Sequence, residues 1–387
     1  MKKQKICIIG GSLTGLVAAI SLAKLDCNID LITGDISKSV KSKRTIAISE
    51  NNLKFLKDLN ISNLLTKEAF PSSTMKLYAN IKNDGFLKIF ELKNEKKDKK
   101  ILFMIENIKL IKFMIKKIKK IKNITLKKNE KIHKISNSGL LKEVRFKNKN
   151  SKYNLVILCT GYNSHIVKNI FNDQVIKNSY CESAITTIIN HDSLNNNTAR
   201  QIFLDKEILA LLPISNNKTS IVWTVNKSIY KKDDNFLKSK IKSYGQNFLK
   251  NIKFTSSIER NDLNLLIRKK YFKERTLLLG DALHKVHPLT GQGFNMTLRD
   301  LASLENILRK KIELGLDLGN HDVLLEFSKE IKPRNLLYML GIDFIKSFFS
   351  INEENFKNLR NKLVKNLNKN NTTNEIFLNL ADKGFEF

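Results

Sequence analysis

The stretch that most constrains the fold comes first: KICII at residues 5–9, GGSLTG at 10–15, and an apolar run that continues to Leu25. KICII lacks polar/apolar alternation, the pattern of a short strand buried on both faces. Residues 14–25, TGLVAAISLAKL, carry apolar side chains at helical spacing, and IDLI at 29–32 reads as a second strand. Strand, helix and strand within about thirty residues make one βαβ unit, so the chain begins as α/β. MKKQK followed by apolar residues also has the outline of a secretory signal. Gly10, Gly11, Ser12, Thr14 and Gly15 break that apolar core, and no later run has the length of a bilayer span. Neither a signal peptide nor a spanning helix is expected.

The glycine turn also points to chemistry. In GGSLTG the glycines take the first, second and sixth places, whereas the dinucleotide fingerprint has its second glycine one place later, where Ser12 stands. Gly10 permits a tight turn off the strand, a small residue at Ser12 lets backbone approach a pyrophosphate, and Gly15 lets the helix pack close to the sheet. Taken alone, a plain strand–turn–helix fits equally well; the placement between a buried strand and an apolar helix is what a nucleotide site requires. The acidic residue that normally ends the second strand falls on Thr33, with Asp35 two residues beyond. A ribose contact from Asp35 and a weaker contact without it both stay open.

With 387 residues, 42% of them apolar, the chain can build one large domain or two ordinary ones, each with a real core, and its composition is that of a soluble globular protein. The formal charge of +32 raises the question of nucleic acid. The lysines are spread among Asn and Ile along the whole chain with no aromatic-interleaved basic motif, so no nucleic-acid partner is expected; attraction to anionic lipid headgroups is the alternative. Cys7, Cys27, Cys159 and Cys181 lie far apart without a C-x-x-C pair, which suggests neither zinc nor a disulfide framework and fits a reducing compartment.

Further along, a helix is expected from about Glu50 with Ser49 as its N-cap. Strand-like runs follow at 73–79, 86–91 and 101–105. NIKLIKFMIKKIKKIKNI, at 107–124, is amphipathic; a core-facing helix with a solvated lysine face is preferred over a membrane-surface helix. YNLVILCTG at 153–161 has the character of a central strand. YCESAITTII, RQIFLD, ILALLPI and TSIVWTV, between 180 and 225, suggest a mostly antiparallel sheet in a separate layer, which LNLLIRK at 263–269 would join. TLLLG at 276–280 reads as a buried strand ending in a turn, and from about 293 the chain reads as successive helices.

GDALHKVHPLTGQGFN, residues 280–295, gathers Asp281, His284 and His287 in three-residue steps. Such steps share a face only in a helix, and Pro288, Gly291 and Gly293 mark a loop instead. No Glu or Cys nearby completes a ligand set, so no metal is expected, and a His–Asp acid–base pair would lack a nucleophile. The pattern reads better as a strand ending at Gly280, an acid at its carboxyl end, and a glycine-rich loop opening onto a helix near Gly293. A helix N-terminus offers unpaired N–H groups and a positive dipole end, suited to an electron-rich ring edge or a developing negative charge.

GDALHKVHPLTGQGFNMTLRD closely resembles the second FAD motif of the class A flavoprotein aromatic hydroxylases, and within them the ubiquinone-biosynthesis hydroxylases of the UbiH/UbiF type. RTIAIS at 44–49, MIEN at 104–107, and ILALLPI with SIVW between 208 and 223 are similar to further segments of that subfamily. The resemblance runs from residue 5 to about 350 and is loose in the C-terminal helices. It implies an α/β fold in which a Rossmann-like FAD-binding domain carries an inserted, mostly antiparallel substrate sheet and C-terminal helices. The implied division is 1–72, 100–175 and 270–330 for FAD, 73–99 and 176–269 for substrate, and 331–387 for the helical region.

Carried over to this chain, the resemblance implies FAD contacts at Gly10, Ser12, Leu13, Thr14, Gly15, Arg44, Gly280, Asp281, Pro288, Gly291, Gln292, Gly293, Phe294 and Asn295. Asp281 would meet the ribityl chain, and backbone from Gly291 to Asn295 the pyrimidine edge. The family's third motif, an Asp-Gly pair, here reads CTGYNS, with Thr160 in place of the aspartate and Gly161 and Ser164 retained. Thr160 can still donate a hydrogen bond, but a charge-dependent role is lost, which puts direct reduction by NAD(P)H in doubt. No second dinucleotide fingerprint follows, so reductant visits the flavin transiently or arrives through an electron-transfer protein.

The implied reaction is hydroxylation of the ring of a polyprenylated phenol in ubiquinone biosynthesis, with O2 taken up by reduced FAD as a flavin hydroperoxide. No catalytic side chain is assigned; His287 is the first to test, with turn packing as its other reading. The substrate face is expected on the sheet holding Tyr180, Phe203, Leu209, Leu211 and Trp223, although an ordinary sheet core has the same pattern. A lipid substrate would place the protein in the cytoplasm, at the inner face of a membrane, in company with other ubiquinone-biosynthesis proteins. YMLGIDFIKSFFSI at 338–351 reads either as a lipid contact or as a buried bundle helix. Two rivals stay open: another flavin enzyme on this fold, such as a kynurenine-type monooxygenase or a prenyl reductase, and a flavin-binding accessory protein without turnover.

Overall fold

KICII becomes the interior of the strand Gln4–Ile9, whose residues Ile6 to Ile9 are all buried. It is buried because it is flanked on both sides. In the computed structural model it pairs in parallel with Cys27–Thr33 on one side and Leu155–Leu158 on the other. Ile124–Lys128 and Thr276–Leu278 extend the parallel sheet outward, and Phe272–Lys273 closes one edge antiparallel. The structure describes residues 3–35, 44–61, 67–81, 85–94, 99–172, 175–204, 206–286, 291, 293–351, 354–368 and 371–384.

The helix Leu13–Leu22 is buried all round, as expected of a helix enclosed by protein on every side. It packs between the helices Asn107–Ile118 and Gly293–Glu313. Asn107–Ile118 buries Leu110, Ile111, Met114 and Ile118 and leaves Lys112 and Lys116 exposed, so its lysine face is solvated and its apolar face lies in the core. A three-stranded meander, Ile132–Ser138, Leu141–Phe146 and Asn150–Tyr153, joins the same core through Val144, Phe146 and Tyr153.

A second sheet of nine strands contains Thr74–Ile81, Gly85–Lys93, Val175–Asn190, Thr198–Phe203, Ile208–Ser215, Lys218–Asn226 and Glu259–Arg268. Its pairings are antiparallel except for Thr198–Phe203 with Thr74–Ile81. One face is covered by the helix Asp234–Gly245 through Leu237 and Ile241. The other joins a core with Met296, Met339, Ile342 and Phe349 from the helices that follow residue 293.

A small antiparallel sheet, Thr45–Ser49, Leu102–Glu106 and Phe70–Ser72, belongs to both cores. Ile48 and Ile105 enter the core of the parallel sheet, while Ala47, Leu102 and Met104 enter that of the nine-stranded sheet, the alternation that strand geometry imposes. The expected class, α/β with a mostly antiparallel second sheet and C-terminal helices, is the one found. Among the described residues no helix is long and apolar enough to cross a membrane.

Candidate functional site

The strand order reverses at Gln4–Ile9, and in open α/β sheets ligands bind beyond the carboxyl ends of the strands at such a point. Gly10 stands there with φ +135°, a conformation open to glycine, and a Cβ on it would lie 2.5 Å from the Cys159 carbonyl oxygen. A Cβ on Gly15 would lie 1.9 Å from the Gly10 carbonyl oxygen. Both glycines are therefore required by backbone contact. Ser12 stands at the N-cap position in extended conformation, and its hydroxyl donates to the Cys159 carbonyl at 3.4 Å instead of capping the helix. Leu13 and Thr14 are buried. Burial pushes the Cys159 thiol far up, so it stays protonated and serves as packing.

Gly280 follows the strand Thr276–Leu278 with φ +66°, and a Cβ on it would meet the Thr14 side chain at 2.7 Å. The two glycine motifs, 265 residues apart in sequence by subtraction (280 − 15), thus touch through Thr14. Asp281 is exposed in the turn Gly280–Ala282. His284 turns inward instead: its Nε2 lies 2.7 Å from Asp300 Oδ2, and both side chains are sealed from solvent. Asn335 Nδ2 donates to the same carboxylate at 3.1 and 3.2 Å. Asp281 and His284 consequently do not converge on one point.

Gly291 has φ +65°, and a Cβ on it would lie 3.1 Å from Ala47 Cβ. Gly293 opens the helix Gly293–Glu313, with Phe294 half-buried. Asn295 is fully buried: Nδ2 donates to the Ala47 carbonyl at 2.9 Å, and Oδ1 accepts from Ser49 N–H and Asn52 Nδ2, each at 3.1 Å. Its side chain fixes the helix N-terminus onto the strand Thr45–Ser49. Ser49 caps the next helix, Glu50–Leu56, as its spacing predicts. Arg44 has a half-exposed side chain that donates to Asn261 Oδ1 and lies 3.8 Å from Glu259. His287, Pro288 and Gln292 lie outside the described residues.

Two buried hydroxyls border the crevice. Thr33, the last residue of its strand, and Thr160, two residues past Leu158, have side-chain oxygens with no hydrogen-bond partner among the described residues. A buried polar atom without a partner calls for a ligand or water. Thr33 occupies the position where the fingerprint has its acidic ribose contact, and Asp35 is exposed beyond it. Glycines that admit close backbone approach, a helix N-terminus and orphaned hydroxyls at the strand ends fit an FAD.

Arg268 is the residue that the sequence reading passed over. It is sealed inside the protein, where Nε donates to the Ala282 carbonyl at 2.7 Å and a terminal nitrogen to the Tyr162 carbonyl at 3.2 Å. It thereby ties the loop after Gly280 to the loop after Thr160. Its signal is present in LNLLIRK, a cation as the last residue of an apolar strand, followed by exposed Lys269.

The residues expected to form a substrate face lie on both faces of the sheet. Leu209, Leu211 and Trp223 pack with Leu237 and Ile241 under the helix Asp234–Gly245, whereas Phe203 packs on the opposite side with Ala47, Val286 and Met296. Strand parity separates them, since Leu209 pairs with Trp223 and Phe203 with Ile208. The side chain of Tyr180 is outside the described set.

The fold and the crevice are those of an FAD-binding protein. The profile of the FAD binding domain family matches residues 3–330, and the chain belongs to that family. The ubiquinone biosynthesis monooxygenase COQ6 of Xenopus tropicalis is 29% identical over 236 residues, which cover 51% of this chain and 50% of that protein. Its counterpart in Dictyostelium discoideum is 23% identical over 92% of this chain and 86% of that protein. The match to the first of these thus spans half the relative's length. The crystal structure of p-nitrophenol 4-monooxygenase PnpA from Pseudomonas putida DLL-E4 has a TM-score of 0.80 at 14% identity, over 97% of this chain and 96% of that one; a likeness at that identity shows the fold.

Proposed function

We propose that the protein is an FAD-dependent monooxygenase that hydroxylates the aromatic ring of a polyprenylated phenol in ubiquinone biosynthesis. The observation that carries this reading is the meeting of two glycine motifs and two orphaned hydroxyls at the carboxyl ends of the parallel strands, in a chain whose relatives include ubiquinone biosynthesis monooxygenases.

FAD, when bound, supplies electron transfer and oxygen activation. In this reading Gly10, Ser12, Leu13, Thr14 and Gly15 admit the pyrophosphate, Thr33 and Thr160 hydrogen-bond to the cofactor, and Gly280 and Asp281 border its ribityl chain. The N-terminus of Gly293–Glu313, held by Asn295, places its positive dipole end against the ring edge, where reduction adds negative charge. The apolar layer between the two sheets holds the substrate ring and excludes water. NAD(P)H or an electron-transfer protein is the reductant, and Thr160 in place of a carboxylate favours testing the second.

The domain division expected from the sequence belongs to the same proposal, with the nine-stranded sheet as the substrate domain. Peripheral contact with a membrane is supported by Leu340 and Phe344, exposed by 57% and 68% on the helix His321–Ser350. The test is reconstitution followed by the visible absorbance spectrum, then oxygen uptake and product analysis with a prenylphenol. Bound flavin with ring hydroxylation is expected. Protein that binds no flavin after reconstitution would overturn the reading, while bound flavin without turnover would favour the accessory protein.

A further inference from the structure

The strand Thr198–Phe203 lies between Ile208–Ser215 and Thr74–Ile81. Arg200 and Ile202 turn toward the helix-covered face, where the Arg200 guanidinium sits 5.5 Å from the centre of the Phe248 ring. Parity therefore sends Ala199, Gln201 and Phe203 the other way. Ala199 and Phe203 join the core that includes Ala47, Met104, Val286 and Met296. Ala47 is the residue that Gly291 approaches, so the layer Gln201 faces is continuous with the glycine turn that opens the helix at Gly293.

Gln201 is 1% exposed, and among the described residues neither Oε1 nor Nε2 has a hydrogen-bond partner. A leucine or methionine would fill nearly the same volume without burying an amide, so packing alone gives no reason for glutamine here. The residues beside it include a small one and two that are half-buried. A single cross-strand row runs Thr186, Val222, Ala210, Gln201, Leu77. Ala210 is the smallest member of that row, and Val222 and Thr186 are half-buried. A flat ring laid along this row would bring its oxygen to the amide.

We propose that Gln201 is the residue that holds the ring oxygens of the substrate, Nε2 donating to one oxygen and Oε1 accepting from a ring hydroxyl. The ligand class is an apolar aromatic ring bearing at least one free hydroxyl, which rests on the monooxygenase reading above. An amide offers one donor and one acceptor side, so it recognises a phenol or hydroquinone and disfavours the same ring with its hydroxyl blocked.

The test uses full-length protein reconstituted with FAD, and two probes: a short-tailed 2-prenylphenol and its O-methyl ether. Binding is followed by calorimetry, which reads ring binding whether or not flavin is retained, and flavin content is measured separately by absorbance. Wild type is expected to prefer the phenol over the ether by about tenfold, the scale of one hydrogen bond left unmade. Gln201→Leu should abolish that preference by weakening the phenol, at unchanged flavin content. Gln201→Met serves as the volume-matched second variant should the first fail to fold. Preference retained in either variant, or no preference in wild type, overturns the inference. Retained preference with a raised melting temperature would assign the amide to a trapped water. Loss of flavin from wild type itself would instead strike the monooxygenase reading.

Discussion

Asp30 and Gln201 each stand mid-strand and are nearly sealed from solvent, at 4% and 1% exposure, but their surroundings differ. Asp30, in the parallel sheet, accepts from Lys127 Nζ at 2.7 Å and Tyr153 Oη at 2.7 Å, and pairs with Lys5 at 2.9 Å. Gln201, in the nine-stranded sheet, has no hydrogen-bond partner among the described residues. The first group is completed by its own chain and is accounted for by stability. The second is complete only when something else enters, which makes it a candidate for function.

The largest expected effect would break the satisfied side of that pair. Asp30→Asn leaves Lys127, itself largely buried, without its counter-charge, and should cost about 3–5 kcal/mol in urea denaturation. A loss below about 1 kcal/mol would show that the network is dispensable. The same group sets an acid limit. Burial alone would raise its pKa, but hydrogen bonds from Lys127, Tyr153 and Lys5 outweigh it and hold the carboxyl below the ordinary range. Its contribution is therefore complete above the unfolded value of about 3.9 and is lost as pH falls through the lower folded value. Asp30→Asn should remove that part of the acid dependence, seen as a flatter melting curve series below about pH 4.

Gln201→Leu tests the unsatisfied side and has the opposite sign. Removing a buried amide with no partner should raise stability by about 1–2 kcal/mol in the ligand-free protein, even as it weakens phenol binding. A destabilised variant would mean that the amide already has a partner. The smallest effect belongs to Trp223→Phe, which loses the hydrogen bond from Nε1 to Glu207 at 2.9 Å on the helix-covered face. It should cost about 1 kcal/mol and leave phenol affinity unchanged. A shift in that affinity would return Trp223 to the substrate face.

That face was not legible in the sequence, for a physical reason. ILALLPI is apolar at odd and even positions alike because both faces of its strand are covered, one by the helix Asp234–Gly245 and the other by the core containing Met104 and Phe203. Without polar alternation there is no mark of which face meets the ligand. Gly10, Gly15 and Ser49 were legible because their requirements are local: a turn, a close approach, a cap. Arg268 escaped notice because its partners, Ala282 and Tyr162, come from distant segments.

The sequence by itself determined the βαβ start, the flavin-type motifs, the fold class and the amphipathic face of Asn107–Ile118, since periodicity and backbone demands act over a few residues. Only the tertiary structure decided that His284 is engaged by Asp300 and that Asn295 anchors a helix to Ala47. It also decided that Leu211 and Trp223 face away from Phe203, and that Gln201 has no hydrogen-bond partner among the described residues. Hydrogen-bond satisfaction and the choice of sheet face depend on which distant segments meet, and one strand read alone carries no record of that meeting.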